Sequence, residues 1–183
     1  MEEIIIPLSK KKIISLFILS LFFIAIGFGI IWIYDDQNLR NVRIFVTGFA
    51  IIDILFFGLC GLYSCVKIFD RKPGLVVNNN GIIDNSSFMS VGLVKWENIT
   101  DVRVTDVVID LGVVRHNQKI LTIEVNNAKE IIGSQKSFKR FLMSLNNNFY
   151  KSPIQISSVG LKCSFQELHN ILKEQLSIHR KVT

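Results

Sequence analysis

The sequence predicts a membrane α-hairpin of two transmembrane helices followed by an α+β cytoplasmic domain. Residues 13–34 carry no charge and residues 44–66 carry one. At Arg71-Lys72-Pro73-Gly74 the composition changes, and shorter apolar stretches separated by turn residues begin. The 183 residues combine 49% hydrophobic and 20% charged residues with a mean hydropathy of +0.39, so the apolar residues must be concentrated rather than spread. A soluble monomer, a disordered chain and a disulfide scaffold all fit this composition poorly.

The first span, Ile13 to Tyr34, has 22 residues. Its helical length of about 33 Å matches a bilayer's hydrocarbon core. It shows no polar stripe, which a buried helix of a soluble protein would carry. A cleaved signal peptide has a shorter apolar centre and a small-residue cleavage site; this run ends Ile-Ile-Trp-Ile-Tyr. Trp32 and Tyr34 suit an interfacial aromatic belt.

The second span runs from Ile44 to about Ile68, only nine residues after the first. So short a connection makes the two helices antiparallel neighbours. Lys10, Lys11 and Lys12 precede the first span, Arg40 and Arg43 lie between the spans, and Lys67, Arg71 and Lys72 end the second. The positive-inside rule then places both termini in the cytoplasm.

Asp53 falls near the middle of the second span. A charge there costs about 2.5–3.5 kcal/mol on insertion scales, so it is expected to face the partner helix or to be protonated. Ala25 is expected at the same depth, with Gly27 about half a turn away. Asp53 is read first as a neutral, internally satisfied residue, because a relay needs a second ionisable group and the spans hold none. Gly58 and Gly61 add small surface without the four-residue spacing of a strong dimer motif.

Cys60, Cys65 and Cys163 form no disulfide or metal pattern, and His116, His169 and His179 are scattered. Cys65 near the inner interface is a site for palmitoylation or, more simply, an apolar filler. No metal and no cofactor is expected.

Residues 73–183 open with strands. Leu75-Val76-Val77 and Ile82-Ile83 flank Asn78-Asn79-Asn80-Gly81, a hairpin turn. Val91 to Trp96 is a third strand. Ile99 to about Val114 is a long strand or strand pair whose apolar phase flips between Val104 and Val107, predicting a bulge or a break. Leu121, Ile123 and Val125 alternate with polar residues, and Ile154 to Ser157 is a short later strand. Within 134–149, Phe138, Phe141, Leu142, Leu145 and Phe149 follow helical spacing. A last helix, about 164–180, begins with the capping box Ser164-x-x-Glu167 and carries the stripe Phe165, Leu168, Ile171, Leu172, Leu176. Short antiparallel strands closed by a terminal amphipathic helix give a bent sheet or open barrel with that helix over one end. This is a pleckstrin-homology-like (PH-like) plan, with the 134–149 helix inserted before the last strand. The domains are then 1–72, the hairpin, and 73–183.

Five runs carry a resemblance: Ile6-Pro-Leu-Ser-Lys-Lys-Lys12, Lys67-x-Phe-Asp-x-Lys-Pro-Gly-Leu75, Gly81-Ile-Ile-Asp-Asn-Ser-Ser87, Val91-Gly-Leu-Val-Lys-Trp-Glu-Asn-Ile99 and Ser152-Pro-Ile-x-Ile-Ser157. They resemble an uncharacterised family of small bacterial membrane proteins with two spans and a PH-like cytoplasmic domain. The resemblance implies a bacterial inner-membrane location and assigns no activity.

The expected function is binding at the membrane. Residues 73–183 carry 13 Lys/Arg and 9 Asp/Glu without a basic run, which argues against nucleic acid. Next to an anionic leaflet even that excess counts, and Lys136, Lys139, Arg140 and Lys151 are the candidate basic face. Asp84, Asn85 and Ser86 form a turn able to hold a polar ligand. The partners expected are the bilayer, a protein segment or anionic lipid head groups, and a second copy of the chain. No nucleophile motif, phosphate loop or carboxylate pair is present, so an enzyme is not expected. The alternative is an oligomeric ion- or proton-coupled component using Asp53.

Overall fold

The computed structural model describes residues 3–33, 40–110 and 115–182. The chain divides into two units: Ser9–Arg71, and Lys72–Thr183 together with Met1–Leu8.

The first unit is a helix pair, α1 (Lys10–Ile33) and α2 (Arg40–Phe69), each long and apolar enough to cross a membrane. The faces turned away from the seam are exposed Ile, Leu and Phe, among them Phe22, Phe28, Ile52 and Leu55. Along the seam α1 buries Ile13, Ser20 and Gly27, spaced by seven. On α2 the seam is Ala50, Phe57, Gly61 and Ser64, with Phe57 half-buried. A seven-residue repeat keeps one stripe of each helix facing the other, and small residues on it let the backbones approach. A Cβ added at Gly27 would stand 2.6 Å from Ile54 Cγ1, and one at Gly61 would stand 2.9 Å from Ser20 Oγ. Phe23 and Phe57 stack at 4.4 Å with ring planes 9° apart.

Where α1 starts and α2 ends, Lys10 donates to the carbonyls of Lys67 (2.9 Å), Ile68 (3.0 Å) and Asp70. A cation on the last carbonyls of a helix satisfies groups that have no partner within it and complements its dipole. Lys67 in turn pairs with Asp70 at 3.0 Å. The expectation about Tyr34 lies outside the described residues.

The second unit holds two antiparallel sheets. The first has the order β1 (Ile4–Ile6), β2 (Leu75–Asn78), β3 (Gly81–Asp84), β4 (Gly92–Lys95). The second has the order β5 (Ile99–Asp110), β6 (Arg115–Val125), β7 (Ile154–Ile156). Helices α3 (Ala128–Gly133) and α4 (Ser137–Tyr150) lie between β6 and β7 in the chain, and α5 (Phe165–Val182) ends it. The core joins Leu75, Val77 and Ile82 of the first sheet to Val102, Leu121 and Ile123 of the second. Leu168, Leu172 and Leu176 of α5 close it, as their spacing predicts. Ser164 and Glu167 form the expected reciprocal cap, Glu167 N–H to Ser164 Oγ at 3.2 Å and Ser164 N–H to Glu167 Oε2 at 2.7 Å.

Four details differ from the sequence reading. Residues 4–8 belong with the sheets and not with the hairpin: Ile4, Ile5 and Ile6 pair with Val77, Val76 and Leu75. A three-residue strand shows no readable alternation, and its partner lies beyond both long helices. The helix expected over 134–149 is α4 and starts three residues later, at Ser137, and a separate short helix, α3, precedes it without having been expected. The register irregularity in β5 falls between Ile99 and Asp101 instead of between Val104 and Val107. The tight turn of the first hairpin is Asn79–Asn80, and Gly81 opens β3 at φ 149°, where a Cβ would meet the Val94 carbonyl oxygen at 2.1 Å. That glycine is required by the neighbouring strand as well as by the turn.

Candidate functional site

The candidates fall into three groups. Asp84 ends β3 and is buried. Its Oδ1 accepts from the Ser86 amide (2.8 Å) and hydroxyl (2.6 Å), an Asx-type turn. Asn85 donates its amide N–H to the Gly74 carbonyl at 2.8 Å and its side chain to the Pro73 carbonyl at 3.4 Å. These three residues therefore tie the chain before β2 to the end of β3.

The basic candidates all flank or belong to α4, but they do not converge. Lys136 is exposed immediately before the helix. Lys151 is exposed immediately after it, in a left-handed conformation at φ 60°. A helix of this length separates them by roughly 20 Å. Arg140 is exposed and donates to the Gly133 carbonyl at 2.6 Å, holding α3 to α4. Lys139 is half-buried and donates to the Ser90 carbonyl. Burial holds its ammonium below the usual lysine range, and the nearby Asp84 carboxylate opposes that shift. Lys139 and Asp84, 55 positions apart in the chain, are thus brought together, whereas Lys136, Arg140 and Lys151 stay on the outer surface.

Asp53 faces α1, as expected, but across from Gly27, because its Oδ2 lies 3.0 Å from the position a Gly27 Cβ would take. Ala25 is exposed instead. Asp53 Oδ2 is shut off from solvent and has no hydrogen-bond partner among the described residues.

An open cleft of about 460 Å³ beside β4 is lined by Asn79, Asn80, Leu93, Lys95, Trp96, Glu97 and His179. The His179 ring lies over Trp96 with centroids 5.8 Å apart and planes 27° apart. Trp96 Nε1 donates to the Asn78 carbonyl at 2.8 Å. Sequence reasoning missed this cleft: Trp96 reads as core, and His179 shares its helix only with His169, ten residues away, a spacing that forms no motif. Among the described residues no group of three His, Cys, Asp or Glu side chains is gathered to hold a metal ion.

Compared with protein-family models, curated proteins and solved structures, the chain finds no match.

Proposed function

We propose that this chain is a membrane-anchored binding module: a two-span hairpin that holds a PH-like domain at the cytoplasmic face, where it recognises a protein segment or anionic lipid. The observation that carries the reading is the β1–β2 pair. The chain leaves the first sheet, runs through two helices of membrane-spanning length and returns to the neighbouring strand of the same sheet. Pro7–Ser9 leads into α1, and Asp70–Gly74 leads out of α2. Two strands hydrogen-bonded to each other cannot lie on opposite sides of a bilayer, so an even number of crossings follows if the helices cross at all. The exposed Lys11, Lys12, Arg71 and Lys72 beside these entries favour the cytoplasmic side. A four-stranded and a three-stranded antiparallel sheet followed by a terminal helix also fit the PH-like plan.

The reading is tested by fractionation and topology mapping of the full chain. The protein is expected to stay with membranes through alkaline extraction, and its last helix is expected to resist protease added to intact spheroplasts. Release into the supernatant, or cleavage of that helix from outside, overturns it. Co-purification from mild detergent then identifies what is bound.

A second reading, an oligomeric proton- or ion-coupled component, draws on the occluded Asp53 Oδ2. Asp53→Asn in reconstituted vesicles is expected to abolish coupled flux if that reading holds; flux unchanged, or none in the parent protein, removes it.

A further inference from the structure

Helix α4 presents its apolar stripe outward. The side that packs on the domain carries fully buried Met143, with half-buried Lys139, Asn146 and Tyr150 beside it. Those contacts are partly polar: Asn146 bonds Gln155, and Lys139 bonds the Ser90 carbonyl. The other side carries Phe138, Phe141, Leu145 and Phe149, exposed by 65%, 58%, 36% and 76%. Spacings of three and four place these four on one face. Phe88, itself exposed, extends the stripe, its ring 6.3 Å from that of Phe138. A contiguous exposed patch of this kind marks an interaction surface.

The charges around the patch indicate its occupant. Lys136, Arg140 and Lys151 are exposed beside it. Between Glu130 and Glu167 the chain carries five Lys/Arg and no acidic residue. A second copy of this face would bring like charges together. Bulky apolar side chains on one side of a helix with cations alongside are what lets a helix lie in the surface of an anionic leaflet.

We infer that α4 is a membrane-surface helix, seating Phe138, Phe141, Leu145 and Phe149 at the headgroup–acyl boundary of an anionic leaflet, with Lys136, Arg140 and Lys151 at the lipid phosphates. This rests on the anchoring reading above.

The test reconstitutes the full chain into vesicles of phosphatidylcholine with or without phosphatidylglycerol, doped with a lipid that bears a photoactivatable acyl chain. Labelled peptides are then mapped. Labelling within 10–33 and 42–69 reports the hairpin, and labelling within 138–149 reports α4. Both are expected in phosphatidylglycerol vesicles. The α4 label is expected to fall at least about fivefold in phosphatidylcholine alone, and by a similar factor in Lys136→Glu/Arg140→Glu. Phe138→Ser/Phe141→Ser/Phe149→Ser alters only exposed positions, so the domain is expected to stay folded while α4 loses its label. A labelled hairpin with an unlabelled α4 overturns this inference and leaves the anchoring intact; it is also the result a protein partner for the stripe would give. An unlabelled hairpin overturns both. An α4 label indifferent to phosphatidylglycerol, or cross-links joining α4 of two copies in place of lipid, overturns the inference as well.

Discussion

Asp84 accepts two hydrogen bonds from Ser86 and is buried close to the Lys139 ammonium. Asp84→Ala removes both bonds, and the expected cost is about 1.5–3 kcal/mol in chemical denaturation of the full chain in detergent. A loss near zero would show that the turn holds without its carboxylate. Asp84→Asn takes away the attraction that opposes the burial of Lys139, so Lys139 is expected to titrate lower still, as read from its side-chain NMR shift. The sign for stability follows. The folded pKa of Lys139 lies below the unfolded one, so the unfolded chain holds more protons between the two values. Stability therefore rises with pH across that alkaline window, and Lys139→Met is expected to flatten the rise. The sequence shows Asp84-Asn85-Ser86 as turn chemistry, and that much is legible because Asx turns are local. The approach of Lys139 is not legible, since nothing in the spacing of two residues so far apart reports their distance.

At the scale of elements, the helix pair packs through small side chains. Gly27 lies against Ile54 and Asp53, whereas Gly29 has nothing within 4 Å of where its Cβ would be. Gly27→Leu is expected to loosen the pair and lower its melting temperature in detergent by several degrees, and Gly29→Leu to leave it nearly unchanged. Equal effects would place the seam elsewhere. The sequence shows where both helices lie and that Asp53 must turn inward. Choosing Gly27 over Ala25 needs the rotation of one helix about its own axis, which a uniformly apolar segment does not record. Helix α4 shows the opposite limit. Its period is plain in Phe138, Phe141, Leu145 and Phe149, but periodicity reports only that a helix has two unlike sides. Which side meets the domain was decided by Met143, and that residue alone carries no sequence signal. The start and the buried face of the last helix were legible, because Ser164 and Glu167 mark the start and Leu168, Leu172 and Leu176 reach the core.

At the scale of the molecule, the first strand connects segments that the sequence keeps far apart. Ile6 is 5% exposed and belongs to the core, whereas its neighbour Ile5 is 58% exposed. Ile6→Ala is expected to cost about 2–4 kcal/mol and Ile5→Ser less than about 1 kcal/mol, measured by the same denaturation. If the two cost the same, residues 4–6 do not belong to the sheet. Strands β2 to β5, β7 and the 121–125 half of β6 are recognisable from local alternation and turn residues; residues 115–119 of β6 and β1 are not, and for β1 the evidence is a partner on the far side of the hairpin.

That pairing also sets an order of assembly. A ribosome delivers Ile4–Ile6 well before Leu75–Asn78 exists, so the earliest strand must wait while both rods are made. The globular part can close only after that. Cutting the gene at Pro73 to obtain a water-soluble piece would leave β2 without its neighbour and Leu75 and Val77 short of cover. A piece worth expressing should splice Leu8 to Lys72 through a short bridge, with the rods left out and the waiting strand kept.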